Sequence, residues 1–76
     1  MFKIIHLPTA EYVIDGHSRV DDPQVLYFDT FEEAKERLIN GFFKTYMKKT
    51  DIIYLSDSQT GTSRLLPNHL FEILEV

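Results

Sequence analysis

Apolar and polar positions alternate from the first residues of the chain. In Phe2-Lys3-Ile4-Ile5-His6-Leu7, the side chains of Phe2, Ile4 and His6 share one face and Lys3, Ile5 and Leu7 the other, the two-residue period of a β-strand. Neither face is purely polar. Pro8 ends this strand, because proline has no N–H to give to a ladder. Residues 11–14, Glu-Tyr-Val-Ile, are β-branched and aromatic and suit a second strand. Pro-Thr-Ala between them is short enough for a hairpin connection. A polar stretch, Asp15 to Pro23, is rich in turn formers and reads as a loop. Residues 24–28, Gln-Val-Leu-Tyr-Phe, return to strand composition.

The period then changes. Thr30-Phe31-Glu32-Glu33 matches a capping box, in which the Thr30 hydroxyl accepts from the Glu33 N–H. Glu32 and Glu33 also suit the positive end of a helix dipole. Apolar residues fall at Phe31, Ala34, Leu38 and Phe42, with Ile39 alongside, which is helical spacing. Glu33 and Arg37 stand four apart in the favourable order for an ion pair. The pattern predicts a helix from Phe31 to about Asn40. Two endings are open. Asn40-Gly41 can close the helix, with Gly41 in the left-handed conformation. Alternatively the stripe Leu38, Phe42, Tyr46 carries the helix on to Lys48, with Lys44, Lys48 and Lys49 at the negative end of the dipole. Phase and lysines together favour continuation, against a cost of ~1 kcal/mol for an interior glycine.

Beyond it, residues 51–56 read as a strand and Asp57 to Ser63 as a polar hairpin turn. Residues 64–66 read as a short strand interrupted by Pro67-Asn68, and residues 70–76 as a last strand with Phe71 and Ile73 on one face. The predicted fold is α+β: one helix packed on a mainly antiparallel sheet of about 4–6 strands, in the order βββαββ(β), within a single domain of residues 1–76. A chain of 76 residues has room for one core. That core is small, and ten aromatic residues, each able to bury ~150–250 Å2, supply much of it. The sheet face away from the helix is apolar enough in places to bind something or to pair two copies, so a homodimer is one expectation.

Charge adds an asymmetry. The net charge is −4, but residues 1–36 carry eight acids against three bases, residues 37–49 carry four bases and no acid, and residues 50–76 carry four acids and one base. A basic aromatic segment therefore lies between two acidic ones. Arg37, Phe43, Lys44, Tyr46, Lys48 and Lys49 resemble the mixture that stacks bases and neutralises phosphates. The simpler reading is lysines at a helix end and aromatics in a core. On the other side, Asp15, Asp21, Asp22, Asp29, Glu32, Glu33 and Glu36 concentrate in the loop and first helical turns. Sharing one side, they would form a negative patch able to meet a basic partner and speed its association.

Little else points to chemistry. There is no cysteine, so disulfides and cysteine-zinc sites are excluded. No serine sits in a nucleophile-elbow motif, and a chain this small builds little concave space, so no enzyme and no cofactor are expected. His17 with Asp15, Asp21 and Asp22 does not follow the calcium-loop spacing and reads as a solvated acidic loop. Gln59-Thr60-Gly61-Thr62 does not lead into a helix and is no phosphate loop. His6 reads as a half-buried or surface strand residue and His69 as a turn residue. No apolar run reaches the ~20 residues of a membrane helix, and no signal-peptide pattern opens the chain, so a cytoplasmic protein without a membrane partner is expected.

Three segments carry a resemblance. Phe2-Lys3-Ile4-Ile5-His6-Leu7-Pro8-Thr9-Ala10-Glu11-Tyr12 resembles the opening hairpin of many small phage-encoded accessory proteins. Tyr27-Phe28-Asp29-Thr30-Phe31-Glu32-Glu33-Ala34 looks like their strand-to-helix joint, and Phe71-Glu72-Ile73-Leu74-Glu75-Val76 is similar to their last strand. The resemblance implies a host-takeover protein that binds and disables a host protein, and it transfers no site residues. The sequence thus points to a non-enzymatic binding protein, an inhibitor or modulator of a host protein. A basic DNA-binding or transcription protein met through the acidic surface is the sharper form. The alternatives are direct nucleic-acid binding through the segment 37–49 and a self-associating structural subunit.

Overall fold

The computed structural model describes residues 1–19, 21–46, 49–59 and 64–76, with the backbone alone at residues 46, 49–51 and 64. It has one helix and two three-stranded antiparallel sheets, so the α+β class is as expected, with the strands divided between two sheets.

In the first sheet β1 (Phe2–His6) is central, between β2 (Glu11–Tyr12) and β6 (Phe71–Glu75). Ile4 pairs with Ile73 and His6 with Phe71, and cross-strand partners share a face. Ile4, His6 and Phe71 are buried on that face, with Phe2 and Ile73 half-buried beside them. Lys3, Ile5, Tyr12 and Leu74 lie on the outer face, where the Lys3 ammonium sits 3.8 Å from the centre of the Tyr12 ring. The β1–β2 turn places Ala10 at φ 58°, a left-handed conformation that costs a residue with a Cβ about 1–2 kcal/mol.

Residues 24–28 are not a continuous strand. Leu26 N–H donates to Val13 O, while Phe28 exchanges bonds with Phe2. The bonds go to two different partners, so no ladder builds. Ile14 in turn leaves the first sheet and donates to Ile53 O at 2.8 Å, tying the two sheets together.

Helix α1 (Phe31–Asn40) starts as expected: Thr30 is extended at φ −128° and its hydroxyl accepts from Glu33 N–H at 3.2 Å. Ala34 is fully buried and Leu38 packs against the core, whereas Ile39 is mostly exposed, so the buried stripe is narrow. The helix does not continue past Gly41. Residues 42–46 form β3 (Phe42–Tyr46), the middle strand of the second sheet, between β4 (Lys49–Ser56) and β5 (Arg64–Leu66). A spacing of four residues returns to the same side of a helix and also of a strand, since four is a multiple of two. Leu38, Phe42 and Tyr46 therefore fit both, and the pairing of 42–46 with β4 on one side and β5 on the other decides for the strand.

Gly41 has extended backbone, φ −91° and ψ 173°, not the left-handed cap expected from Asn-Gly. Its role is close approach. A Cβ there would lie 2.6 Å from Leu55 Cδ1 and 2.7 Å from Arg37 O. Only a residue without one lets α1 turn directly into β3 under β4.

Of the polar turn expected at 57–63, residues 60–63 lie outside the described residues. It does not join hairpin neighbours, because β4 and β5 flank β3 on opposite sides. The hairpin is β3–β4. A single 3-10 turn (Asn68–Leu70) precedes β6, and Asn68 Nδ2 donates to Leu38 O near the helix end at 3.2 Å. The core joins both sheets and the helix: Ile4, Val13, Phe28, Ala34, Phe43, Ile53, Leu55 and Phe71. The Phe43 and Phe71 rings stack with centroids 3.7 Å apart.

Candidate functional site

The loop after β2 is closed by its own polar groups. Asp15 N–H donates to Gln24 O at its neck, Asp15 Oδ1 accepts from His17 N–H at 2.9 Å, and Ser18 Oγ donates to Asp15 O at 2.6 Å. This is the local hydrogen bonding that makes Asp a turn former. The closed loop brings Asp15, Gly16 and His17 up beside Tyr54 on β4.

Between this loop, the exposed side of α1 and the end of β4 lies an open cleft of about 640 Å3. Leu26, Phe28, Tyr54 and Leu55 supply apolar surface. Asp15, His17, Glu33, Glu36, Arg37, Ser56 and Asp57 supply polar groups. Glu33, Glu36 and Arg37 are neighbours on a helix at spacings of three and four, which puts them on one side. Arg37 does not pair with Glu33. Its Nη1 donates to Asp57 Oδ1 at 2.7 Å, linking helix to strand end. Among the described residues four carboxylates and one guanidinium thus surround the cleft, leaving it acidic.

The acids singled out in the sequence divide. Asp15, Glu33 and Glu36 come together in the cleft, with Asp57 added by the fold. Asp29 and Glu32 are exposed near the helix start and do not line it. Asp21 and Asp22 lie farther out in the loop. Asp21 contacts Arg19 at 3.3 Å, and Asp22 accepts from Gln24 Nε2 at 3.1 Å. Among the described residues no three of His, Asp or Glu stand close enough together to hold a metal ion, so the carboxylates share the cleft without forming a metal site.

The basic segment is placed differently from its helical expectation. Phe43 is fully buried in the core, and Lys44, on the middle strand, is 3 % exposed. A buried ring offers no face to a base. Arg37 is engaged with Asp57. Tyr46 and Lys49 are strand residues described by backbone alone, and Lys48 lies outside the described residues.

Sequence reasoning missed Asp57 and the apolar Leu26, Phe28 and Tyr54 wall. The signal for Asp57 was a lone acid at a strand end, indistinguishable from a turn residue until β4 is set beside α1. His6 is another surprise. It is buried at 6 % exposure, its ring packs on Phe71 at 4.7 Å, and its Nδ1 lies 2.8 Å from Thr9 Oγ1. Nε2 has no partner among the described residues. Burial lowers its pKa below the usual 6.5.

Fold and cleft together define a small α+β domain with an acidic, partly apolar recess. Comparisons with protein-family models, with curated proteins and with solved structures give no match to this chain. No described helix is long and apolar enough to cross a membrane.

Proposed function

We propose that the chain is a non-enzymatic binding protein that receives a basic segment of another protein in the cleft between α1 and the end of β4. The observation that carries this reading is the convergence of Asp15, Glu33, Glu36 and Asp57 on one recess with an apolar wall. Lysine and arginine side chains combine an apolar stem with a charged head, so they complement both parts of such a recess. The acids supply charge complementarity, which speeds encounter and selects basic partners. Taken with the likeness of its segments to phage-encoded accessory proteins, the reading is of a modulator that occupies the basic surface of a host DNA-binding or transcription protein, in place of phosphates.

The test compares the unaltered chain with Glu33→Lys/Glu36→Lys as bait in bacterial lysate with and without nuclease treatment, followed by titration of the retained protein. Both side chains are exposed, so neither substitution removes core packing, and a far-ultraviolet dichroism spectrum checks that the helix start survives the change at Glu33. A basic protein held by the unaltered chain should bind the variant on the order of tenfold more weakly, with a smaller dependence on salt. Equal affinity for both baits would place the contact elsewhere. Retention that vanishes with nuclease would favour direct nucleic-acid binding instead.

A further inference from the structure

Antiparallel pairing turns alternate peptide groups to opposite edges of a strand. In the first sheet two bonds determine which residues of β6 turn toward β1: Leu7 N–H to Leu70 O and Val76 N–H to Met1 O, both 2.9 Å. Residues 70 and 76 therefore face β1, and by alternation so do Glu72 and Leu74. Phe71, Ile73 and Glu75 turn their N–H and C=O groups to the far edge. β1 confirms the parity, since Phe2 and Ile4 turn the other way, toward Phe28 and Val13. The Phe71 N–H is taken up by Asn68 O. No strand pairs with the far edge of β6, and the outward groups of Ile73 and Glu75 have no partner among the described residues.

Open edges are hazards that proteins blunt with short strands, prolines, lysines, bulges or covering segments. The other edges here are blunted. β2 has two residues, β5 has three and is followed by Pro67, and β4 is met by Ile14. β6 carries two charged side chains, Glu72 and Glu75, but none of these devices. It is five residues long, contains no Pro or Lys, and keeps its register with β1 unbroken from Phe71 to Glu75.

We propose that this edge is the interface of a homodimer, in which β6 pairs antiparallel with β6 of a second copy and the two three-stranded sheets become one of six. A twofold axis at Ile73 sets each Ile73 opposite its counterpart, and the two exchange N–H to C=O bonds. Each Glu75 N–H then meets a Phe71 C=O of the other copy. The occupant must be apolar at the centre on both sheet faces, because half-buried Ile73 lies on the core face and half-buried Leu74 on the outer one. A second β6 meets that requirement. It also avoids charge conflict, since Glu72 falls opposite Leu74 and Glu75 opposite Phe71. Like charges directly across a ladder would be destabilising.

The experiment is sedimentation of the full chain from micromolar to millimolar concentration, beside Glu75→Pro. Glu75 is exposed, and its N–H is not used by β1, so proline removes the outward donor and leaves the β1 ladder intact. The unaltered chain should dimerise reversibly, and Glu75→Pro should raise the dissociation constant at least tenfold with an unchanged far-ultraviolet dichroism spectrum. Hydrogen exchange on the unaltered chain gives a readout without substitution. The Ile73 and Glu75 amides should slow with rising concentration, while that of Leu74 stays constant. A chain that stays monomeric throughout, or a dimer whose Ile73 and Glu75 amides exchange at a concentration-independent rate, would overturn the proposal.

Discussion

His6 shows how one side chain can link burial to pH. Its ring lies between Thr9 and Phe71, and desolvation lowers its pKa in the fold. In the unfolded chain it takes up a proton near pH 6.5. The unfolded state therefore binds more protons below that pH, and stability falls as pH drops through it. Above it the contribution is fully present. Urea unfolding at about pH 7.5 and about pH 5.5 should show a lower midpoint at the acid value. His6→Phe, which keeps a ring against Phe71 and cannot titrate, should flatten that difference. An equal slope in the variant would assign the pH dependence to other groups. The alternation placed the histidine on one face with Phe2 and Ile4 but did not say which face is buried. How deeply it is buried depends on Phe71, which is 65 positions away in the sequence.

At the scale of elements, the junction between α1 and β3 governs the second sheet. No residue connects them except Gly41, whose missing Cβ leaves room for Leu55 Cδ1 and Arg37 O. Leu55 could shift, but Arg37 O belongs to the helix backbone and accepts the Gly41 N–H at 2.8 Å. Gly41→Ala should therefore destabilise the protein by about 2 kcal/mol, the range of an overpacked core, rather than stabilise it as glycine replacement does in a permissive helix. Thermal unfolding decides between the two signs. A gain in stability would mean that the helix extends through position 41. The start of the helix was legible at Thr30 because a capping box acts within one turn. Its end was not, because Leu38, Phe42 and Tyr46 satisfy both helical and strand periods.

For the whole molecule the decisive feature is the gathering of charge from distant parts of the chain. Arg37 and Asp57 are 39 % and 80 % exposed, and an ion pair so open to water contributes only about 0–1 kcal/mol to stability. The larger effect of Arg37 is on the cleft, where among the described residues its guanidinium stands with four carboxylates. Arg37→Gln should leave unfolding nearly unchanged and strengthen binding of a basic partner, by a few-fold at low salt and less as salt screens the charges. Calorimetric titration at two ionic strengths measures this. Weaker binding would show that Arg37 itself touches the partner.

What the sequence by itself determined is local: an α+β chain, the helix start at Thr30, strands expected at 2–7, 51–56, 64–66 and 70–76 and found within two residues of those bounds, and an acidic first half against a basic middle. These follow from periodicity, capping and turn chemistry, which act between residues a few positions apart. Tertiary structure alone decided that 42–46 joins a sheet, burying Phe43 and Lys44. It also decided that Asp15, Glu33, Glu36 and Asp57 share one recess while Asp21 and Asp22 do not. Those outcomes rest on contacts between segments far apart in the chain, as when Ile14 bonds Ile53 and Phe43 stacks on Phe71. Their free energy exists only once the two sheets have met.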